Sequence, residues 1–271
     1  MQLPTRQPNE SAHDFAFRAL RHNIVNLHFL PGAFISCHDL AGQMGVSRTP
    51  LREAMQQLHR IGLLTVHANA GSRISLIDHS RINELRLIRR TMESIAAETV
   101  CGRIGPEDLF AFEEMIMKQS NRLKRSRTGQ CPGEAMLRRG SGDVQTARPS
   151  SNFIVPSPLM ELDDEFHAHL YRLAGMTATY DIISPFHCHL DRFHRLFHTS
   201  GHEARIVAEH AELFNAFKNR DKKTAKKIVM IHFSGDLKTE LETIDNYSEY
   251  FTNIDDTGRD HRWMPPPAAF S

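Results

Sequence analysis

Phe15, Ala19 or Leu20, Ile24 and Leu27 recur at helical spacing, which predicts an amphipathic helix over 11–28. Leu30-Pro31-Gly32 closes it with a turn. Leu40, Ala41 and Met44 share one side of a short helix over 38–44, broken at Gly45. A second helix starts after Ser47 and runs to about Ile61, with Leu51, Ala54, Met55, Leu58 and Ile61 as its buried stripe. Over 63–77 the period shortens, and LLTVH and SRISLI predict two strands around a turn at Asn69-Ala70-Gly71. From 79 to 245 helical spacing returns, with helices near 80–101, 106–124, 159–174, 178–199, 203–219 and 222–243 and no convincing strand. Two stretches lack periodicity. Residues 125–158, rich in Gly, Ser, Pro and Arg, read as a loop insertion, and 246–271 as a mostly disordered tail. The pattern predicts a mainly α chain: a winged helix-turn-helix domain over 1–78 and an all-helical bundle over 79–245.

The segment from Leu40 to Met55 carries the first functional signal. Gly45 can take the positive φ that a tight helix-to-helix turn needs, and Val46 should pack between the helices. Ser47 is a good N-cap, and Pro50 falls in the first turn, where its missing N–H is harmless. With the apolar stripe turned inward, Ser47, Arg48, Thr49 and Arg52 remain at the exposed end. Arg48 and Arg52, four residues apart, share a face. A recognition helix presents its first turns to the major groove, where Arg reads guanine with two hydrogen bonds and Ser or Thr binds phosphate or base. Two exposed arginines alone would more often be merely solvated. The cap, turn glycine, first-turn proline and following hairpin together favour a DNA-reading module.

Composition narrows the class. No run approaches the length of a membrane span, and MQLPTRQPNESAHDF is not a secretory signal, so a cytoplasmic protein is expected. Cys37, Cys101, Cys131 and Cys188 are scattered, as free thiols are. The net charge is only +1, but residues 1–78 hold seven Arg, no Lys and five acids, a local +2. Of the 17 histidines most lie after residue 160.

The stretch PGAFISCHDLAGQMGVSRTPLREAMQQLHRIGLLTVHANAGSRIS resembles the N-terminal domain of the GntR family of transcription regulators. The resemblance rests on Pro31-Gly32, Leu40-Ala41, Gly45 through Ala54, Gly62-Leu63 and Gly71. It implies that Ser47, Arg48, Thr49, Arg52 and the wing near Gly71 contact a double-stranded DNA operator. His38 stands near a position where the family often places a contact to the DNA backbone. Gly42 departs from a helix former and should cost about 1 kcal/mol relative to Ala.

The second signal is a set of metal-binding side chains. Asp163 and His167 lie four apart on one helical face, so a carboxylate oxygen and an imidazole nitrogen can converge on one ion. His210 and His232 flank Asn219-Arg220-Asp221, where a turn would set their helices antiparallel and at one level of a bundle. Any single histidine is more often a surface or hydrogen-bonded one, and His194 with His198 forms a rival pair that lacks a carboxylate.

Residues 80–240 look like the ligand-binding domain called FCD, of the FadR-type subfamily. Arg89 with Glu93, Asp163 with His167, Glu209-His210, and His232 fit its elements. The resemblance implies that Asp163, His167, His210 and His232 bind a divalent metal ion, with zinc, nickel and manganese all suited to such donors, and that Arg89 helps hold a small carboxylic acid effector. The basic 125–158 insertion departs from the pattern. As a disordered segment it can add nonspecific DNA affinity, or it is a solvated loop.

The leading expectation is a homodimeric, effector-responsive DNA-binding regulator and not an enzyme. A metalloenzyme using the Asp/His site, or a regulator whose histidine cluster is purely structural, are the alternatives. Against the enzyme, Glu165 lies two residues from both Asp163 and His167 and should point away from their face, leaving no marked general base.

Overall fold

The computed structural model describes residues 1–67, 71–127, 159–196, 200–234 and 237–254. The N-terminal elements are α1 (Ala12–Val25), β1 (Phe34–Ile35), α2 (Cys37–Met44), α3 (Arg48–Arg60), β2 (Leu64–His67) and β3 (Gly71–Ile74). Ser11 caps α1 by accepting a hydrogen bond from the Asp14 N–H, and Ser36 caps α2 through the Asp39 N–H. β3 lies between β1 and β2, antiparallel to both, with Arg73 opposite Phe34 on one side and Thr65 on the other. Phe15, Leu20, Ile24, Leu51, Leu58 and Leu63 form the core under this sheet. The Asn69-Ala70 tip of the wing lies outside the described residues.

β4 (Ile77–Asp78) leads from the wing into the long α4 (His79–Arg103), whose first turn is capped by the Asp78 carboxylate. α5 (Pro106–Arg127), α6 (Leu159–Ala174), α7 (Thr177–Ile183), α8 (His187–Leu196), α9 (Ser200–Lys218), α10 (Lys222–His232) and α11 (Leu237–Asn246) follow. Val100, Phe112, Phe166, Leu170, Phe217 and Val229 meet in the core of the bundle. A separate core of Ile77, Ile82, Leu190, Phe193 and Phe251 joins the wing exit to α8. Cys37, Cys101 and Cys188 are free thiols.

Three differences from the sequence pattern have local causes. The helix expected over 178–199 is broken by a 3-10 turn at Ser184–Phe186, where Pro185 lacks the N–H that a continuous helix uses. The helix expected over 222–243 ends at His232, with Phe233 as its cap, and α11 resumes at Leu237. The stretch from 246, expected to be disordered, instead carries a 3-10 turn at Ser248–Tyr250 and a strand, β5 (Phe251–Thr252), parallel to β4. Tyr250 and Phe251 bury their rings beside Phe193 and Ile77, and Asn253 donates a hydrogen bond to Asp78 at 3.0 Å. Two strands of two residues each are too short to declare themselves by alternation. Most of the expected insertion, 128–158, lies outside the described residues.

Candidate DNA-reading face and metal centre

Gly45 ends α2 in the left-handed region at φ 63°, and the chain turns at once into α3. The apolar stripe Leu51, Ala54, Met55 and Leu58 is buried against α1 and the sheet. That burial leaves Ser47, Arg48, Thr49 and Arg52 exposed at the head of α3, with His38 exposed at the start of α2. Ser47 occupies the N-cap position, but its hydroxyl makes no capping hydrogen bond, so it stays available to an outside partner. An open concavity runs across the turn from His38 through Gly42 and Gly45 to Arg48. Gly42 costs helix propensity, yet a Cβ there would meet nothing within 4 Å, so the structure gives no packing reason for it. Gly71 opens β3 at φ +86°, and a Cβ there would fall 2.3 Å from the Phe34 ring. Glycine is therefore required at the base of the wing.

The second set of residues converges inside the bundle. Asp163, His167, His210 and His232 each present one donor atom, and these atoms lie within 4.8 Å of one another. α6 supplies Asp163 and His167 from one face, and the turn at Asn219–Arg220 folds α10 back on α9 to bring His232 opposite His210. Asp163 Oδ1 lies 3.7 Å from His167 Nε2 and 3.5 Å from His210 Nε2, while His167 Nε2 and His232 Nε2 are 3.2 Å apart. Asp163 Oδ1 and His210 Nε2 are buried and have no hydrogen-bond partner among the described residues.

The outer partners explain why the Nε2 atoms face inward. His210 Nδ1 donates to Gln119 Oε1 at 2.8 Å, and the Gln119 amide is oriented by donating its own N–H to the Leu162 carbonyl at 3.0 Å. His232 Nδ1 donates to Glu209 Oε2 at 2.9 Å. His167 Nδ1 lies 2.5 Å from Glu93 Oε2. His210 and His232 thus each have an oxygen acceptor at Nδ1, and His167 Nδ1 lies against a carboxylate oxygen, which turns the three Nε2 atoms toward one centre where a cation could displace a proton, the usual arrangement around metal-bound histidine. Burial holds the pKa of His210 well below its ordinary value. Burial also works to lower His167, but the Glu93 and Asp163 carboxylates outweigh it and hold the imidazole up to about 9. Burial works to raise Asp163, yet the neighbouring imidazoles keep its carboxyl well below the usual range. The donor set is therefore one carboxylate and three imidazoles sharing a centre, with buried orphan atoms that a divalent cation would satisfy.

Arg89 stands beside this centre on α4. Its Nε donates to Glu93 Oε1 at 2.9 Å, its guanidinium lies 4.5 Å over the Phe233 ring, and its Nη2 is buried without a hydrogen-bond partner among the described residues. Glu93 is driven down to about 2: burial opposes the shift, but His167 and Arg89 outweigh it. Glu165 is exposed, on the far side of α6 from the cluster. His194 belongs to α8, whereas His198 lies outside the described residues. Spacing gave no hint of Gln119, whose role depends on α5 packing beside α9; a glutamine one helix away carries no local pattern.

Comparison with known proteins agrees with both halves. The family model for bacterial regulatory proteins of the gntR family matches residues 13–74, and that for the FCD domain matches 84–235. The HTH-type transcriptional regulator YdhC of Bacillus subtilis is 29% identical, over 83% of this chain and 91% of its own length. The HTH-type transcriptional repressor RspR of Escherichia coli is 22% identical, over 90% and 96%. The solved structure of E. coli McbR/YncC has the same fold, with a TM-score of 0.63 at 17% identity, covering 88% of this chain and 99% of that one. A GntR regulator from Rhodococcus aligns with a TM-score of 0.62 at 18% identity, covering 88% and 100%. With an exposed recognition helix at one end and an FCD domain spanning more than half its length, the chain belongs to the GntR family of bacterial regulatory proteins and is a transcriptional regulator of the FadR type.

Proposed function

We propose that this regulator binds a two-fold symmetric DNA operator as a homodimer, and that a small organic acid held at a divalent metal ion sets its affinity for that operator. The observation that carries the metal part is the common orientation of His167, His210 and His232, each with Nδ1 against an oxygen, while their donor atoms and that of Asp163 lie within 4.8 Å of one another. Zinc, nickel and manganese all accept such a donor set. The bound ion would supply positive charge and an open position for a carboxylate oxygen. Arg89, whose Nη2 is a buried donor without a hydrogen-bond partner among the described residues, would hold the rest of that carboxylate. The DNA part rests on the exposure of Ser47, Arg48, Thr49 and Arg52 at the head of α3, with His38 and the Gly71 wing flanking it.

The acid can act on the operator only by favouring one packing of the molecule over another. α4 gives it a route, because it carries Arg89 and begins directly after the wing. The test is purification without added metal, followed by elemental analysis and a thermal-shift screen of small carboxylic acids. One divalent ion per chain is expected, and an acid that raises the melting temperature only in the metal-loaded protein. His210→Ala with His232→Ala should lose the ion and the acid response together while keeping some DNA binding. A stoichiometric ion in that double variant would exclude the site, and an unchanged acid response without metal would exclude the coupling.

A further inference from the structure

The wing passes into α4 through β4, and residues from the far end of the chain close over that junction. They lie beyond the region that matches the FCD family, which ends at 235. The segment is tied to α4 at both ends. Near its start, Glu240 pairs with Arg86 at 2.6 Å, and the Arg86 guanidinium lies 5.0 Å over the Phe193 ring. Near its finish, Asn253 donates to Asp78 Oδ2, while Oδ1 of the same carboxylate caps α4 through the Arg81 N–H. Asp78 and Arg86 stand about 12 Å apart along α4, so the segment runs back over the first turns of that helix toward the wing exit.

Its backbone pairing is slight. β5 and β4 match only Phe251 to Ile77 and Thr252 to Asp78. A ladder this short does not hold by itself, so side chains must hold it. The Phe251 ring meets that of Phe193 edge to face at 5.9 Å, and the Tyr247 and Tyr250 rings stack at 5.9 Å. Tyr250 and Phe251 are buried with Ile77, Ile82 and Leu190, and Leu30 of the N-terminal half packs against the same cluster. This cluster is separate from the core of either half and draws on both.

We infer that residues 247–253 are a clasp on the hinge between the two halves. Docked, they hold the N-terminal half in one orientation on α4. Released, they take two aromatic rings out of the core that the halves share and leave β4 without its partner strand. Undocking leaves the bundle core whole, so it costs less than unfolding and occurs as a local opening. A DNA-reading half already held in one orientation binds without first being ordered, so operator affinity follows the docked clasp. The clasp uses neither the Asp and His cluster nor Arg89, and it stands apart from the proposed metal ion and acid.

Hydrogen exchange on the full chain, read peptide by peptide, tests the clasp with two variants. Phe251→Ala removes the buried ring. Exchange over 75–82 should rise more than about tenfold, while 96–101 in the bundle and 51–58 in α3 keep wild-type rates. Asn253→Ala removes one exposed hydrogen bond and no ring, so the core is untouched, and the rise over 75–82 should be about two- to fivefold. Both variants should also bind more weakly, in the same order, to a duplex that the wild type selects from a random pool, Phe251→Ala by more than about fivefold. Should Phe251→Ala fail to fold, Asn253→Ala decides alone. Wild-type exchange over 75–82 in the deciding variant would overturn the clasp. Faster exchange that extends equally to 96–101 would overturn it too, by making the segment part of the bundle core. Loosening at 75–82 with duplex affinity equal to that of the wild type would overturn its part in DNA reading.

Discussion

At the scale of single residues, the proposed DNA-reading face and the proposed metal centre place opposite demands on burial. Arg48 and Arg52 are exposed on one face of α3, so replacing them should not disturb the core of Leu51, Ala54 and Leu58. Arg48→Ala and Arg52→Ala should each cost about 1–3 kcal/mol of operator discrimination, with the melting temperature unchanged. Gel-shift titrations at one fixed salt concentration check this, and wild-type affinity in both variants would mean that α3 does not read the groove. The proposed metal centre would depend on residues that touch no ion. Glu209 holds the His232 Nδ1–H, so Glu209→Leu should weaken metal affinity roughly 10- to 100-fold, and Glu209→Gln less because its amide oxygen still accepts. Competition with a chromophoric chelator measures both, and equal affinities across wild type and variants would remove Glu209 from the site.

At the scale of elements, α8 ties the two halves together. Its first residue is His187, whose Nδ1 lies 3.1 Å from Asp164 Oδ1 on α6, and its next turns face the N-terminal half. Cys188 is buried in the N-terminal core. His189 Nε2 donates to the Ile61 carbonyl at the end of α3 at 2.7 Å, and Arg192 Nη2 donates to the Ser75 carbonyl beyond the wing at 2.7 Å. Arg192 is fully buried, burial lowers its pKa to about 10, and its Nε and Nη1 have no hydrogen-bond partner among the described residues. A buried cation held by so little is a poor source of stability. Arg192→Met should therefore cost less than about 3 °C in melting temperature, equivalent to ~1 kcal/mol, and yet blunt the effector's influence on operator binding. A large loss of stability, or an undiminished effector response, would show that α8 is not the tie. This connection could not be read from the sequence. The recognition helix was legible because its signals are local: a turn glycine, a cap, a first-turn proline and an apolar stripe within about four helical turns. The Asp and His cluster was visible as a spacing, and the family resemblance picked it out from the other histidines. Gln119 and Arg192 gave no signal, because each bonds a partner far along the chain. The 3-10 break at Pro185 and the strand at Phe251 were hidden for a related reason, since their elements are too short to show a period.

At the scale of the whole molecule, the exposed face of α4 is more apolar than a solvated helix requires. Leu87, Ile88 and Ile95 are 40%, 40% and 47% exposed, with Thr91 exposed between them, and Ile231 at 46% lies on α10, which packs against α4. A second copy of the chain is the occupant that the proposed function requires, because one winged helix reads too few base pairs and a symmetric pair doubles the reading. The same face would place the two α4 helices, and so the two wings that lead into them, in a fixed relation across the dimer. Wild-type protein should sediment as a dimer of the 30.9 kDa chain. Ile95→Glu puts a charge into that face without touching the core, so it should give a folded monomer with an unchanged circular dichroism spectrum. Operator affinity should then fall to that of a single head, because linkage no longer raises the effective concentration of the second. Each monomer would keep its metal centre, since its ligands and their acceptors all come from one chain. Metal content therefore separates loss of the dimer from loss of the fold. A monomeric wild type would remove the two-fold operator model, whereas a dimer that persists in Ile95→Glu would move the interface to another face.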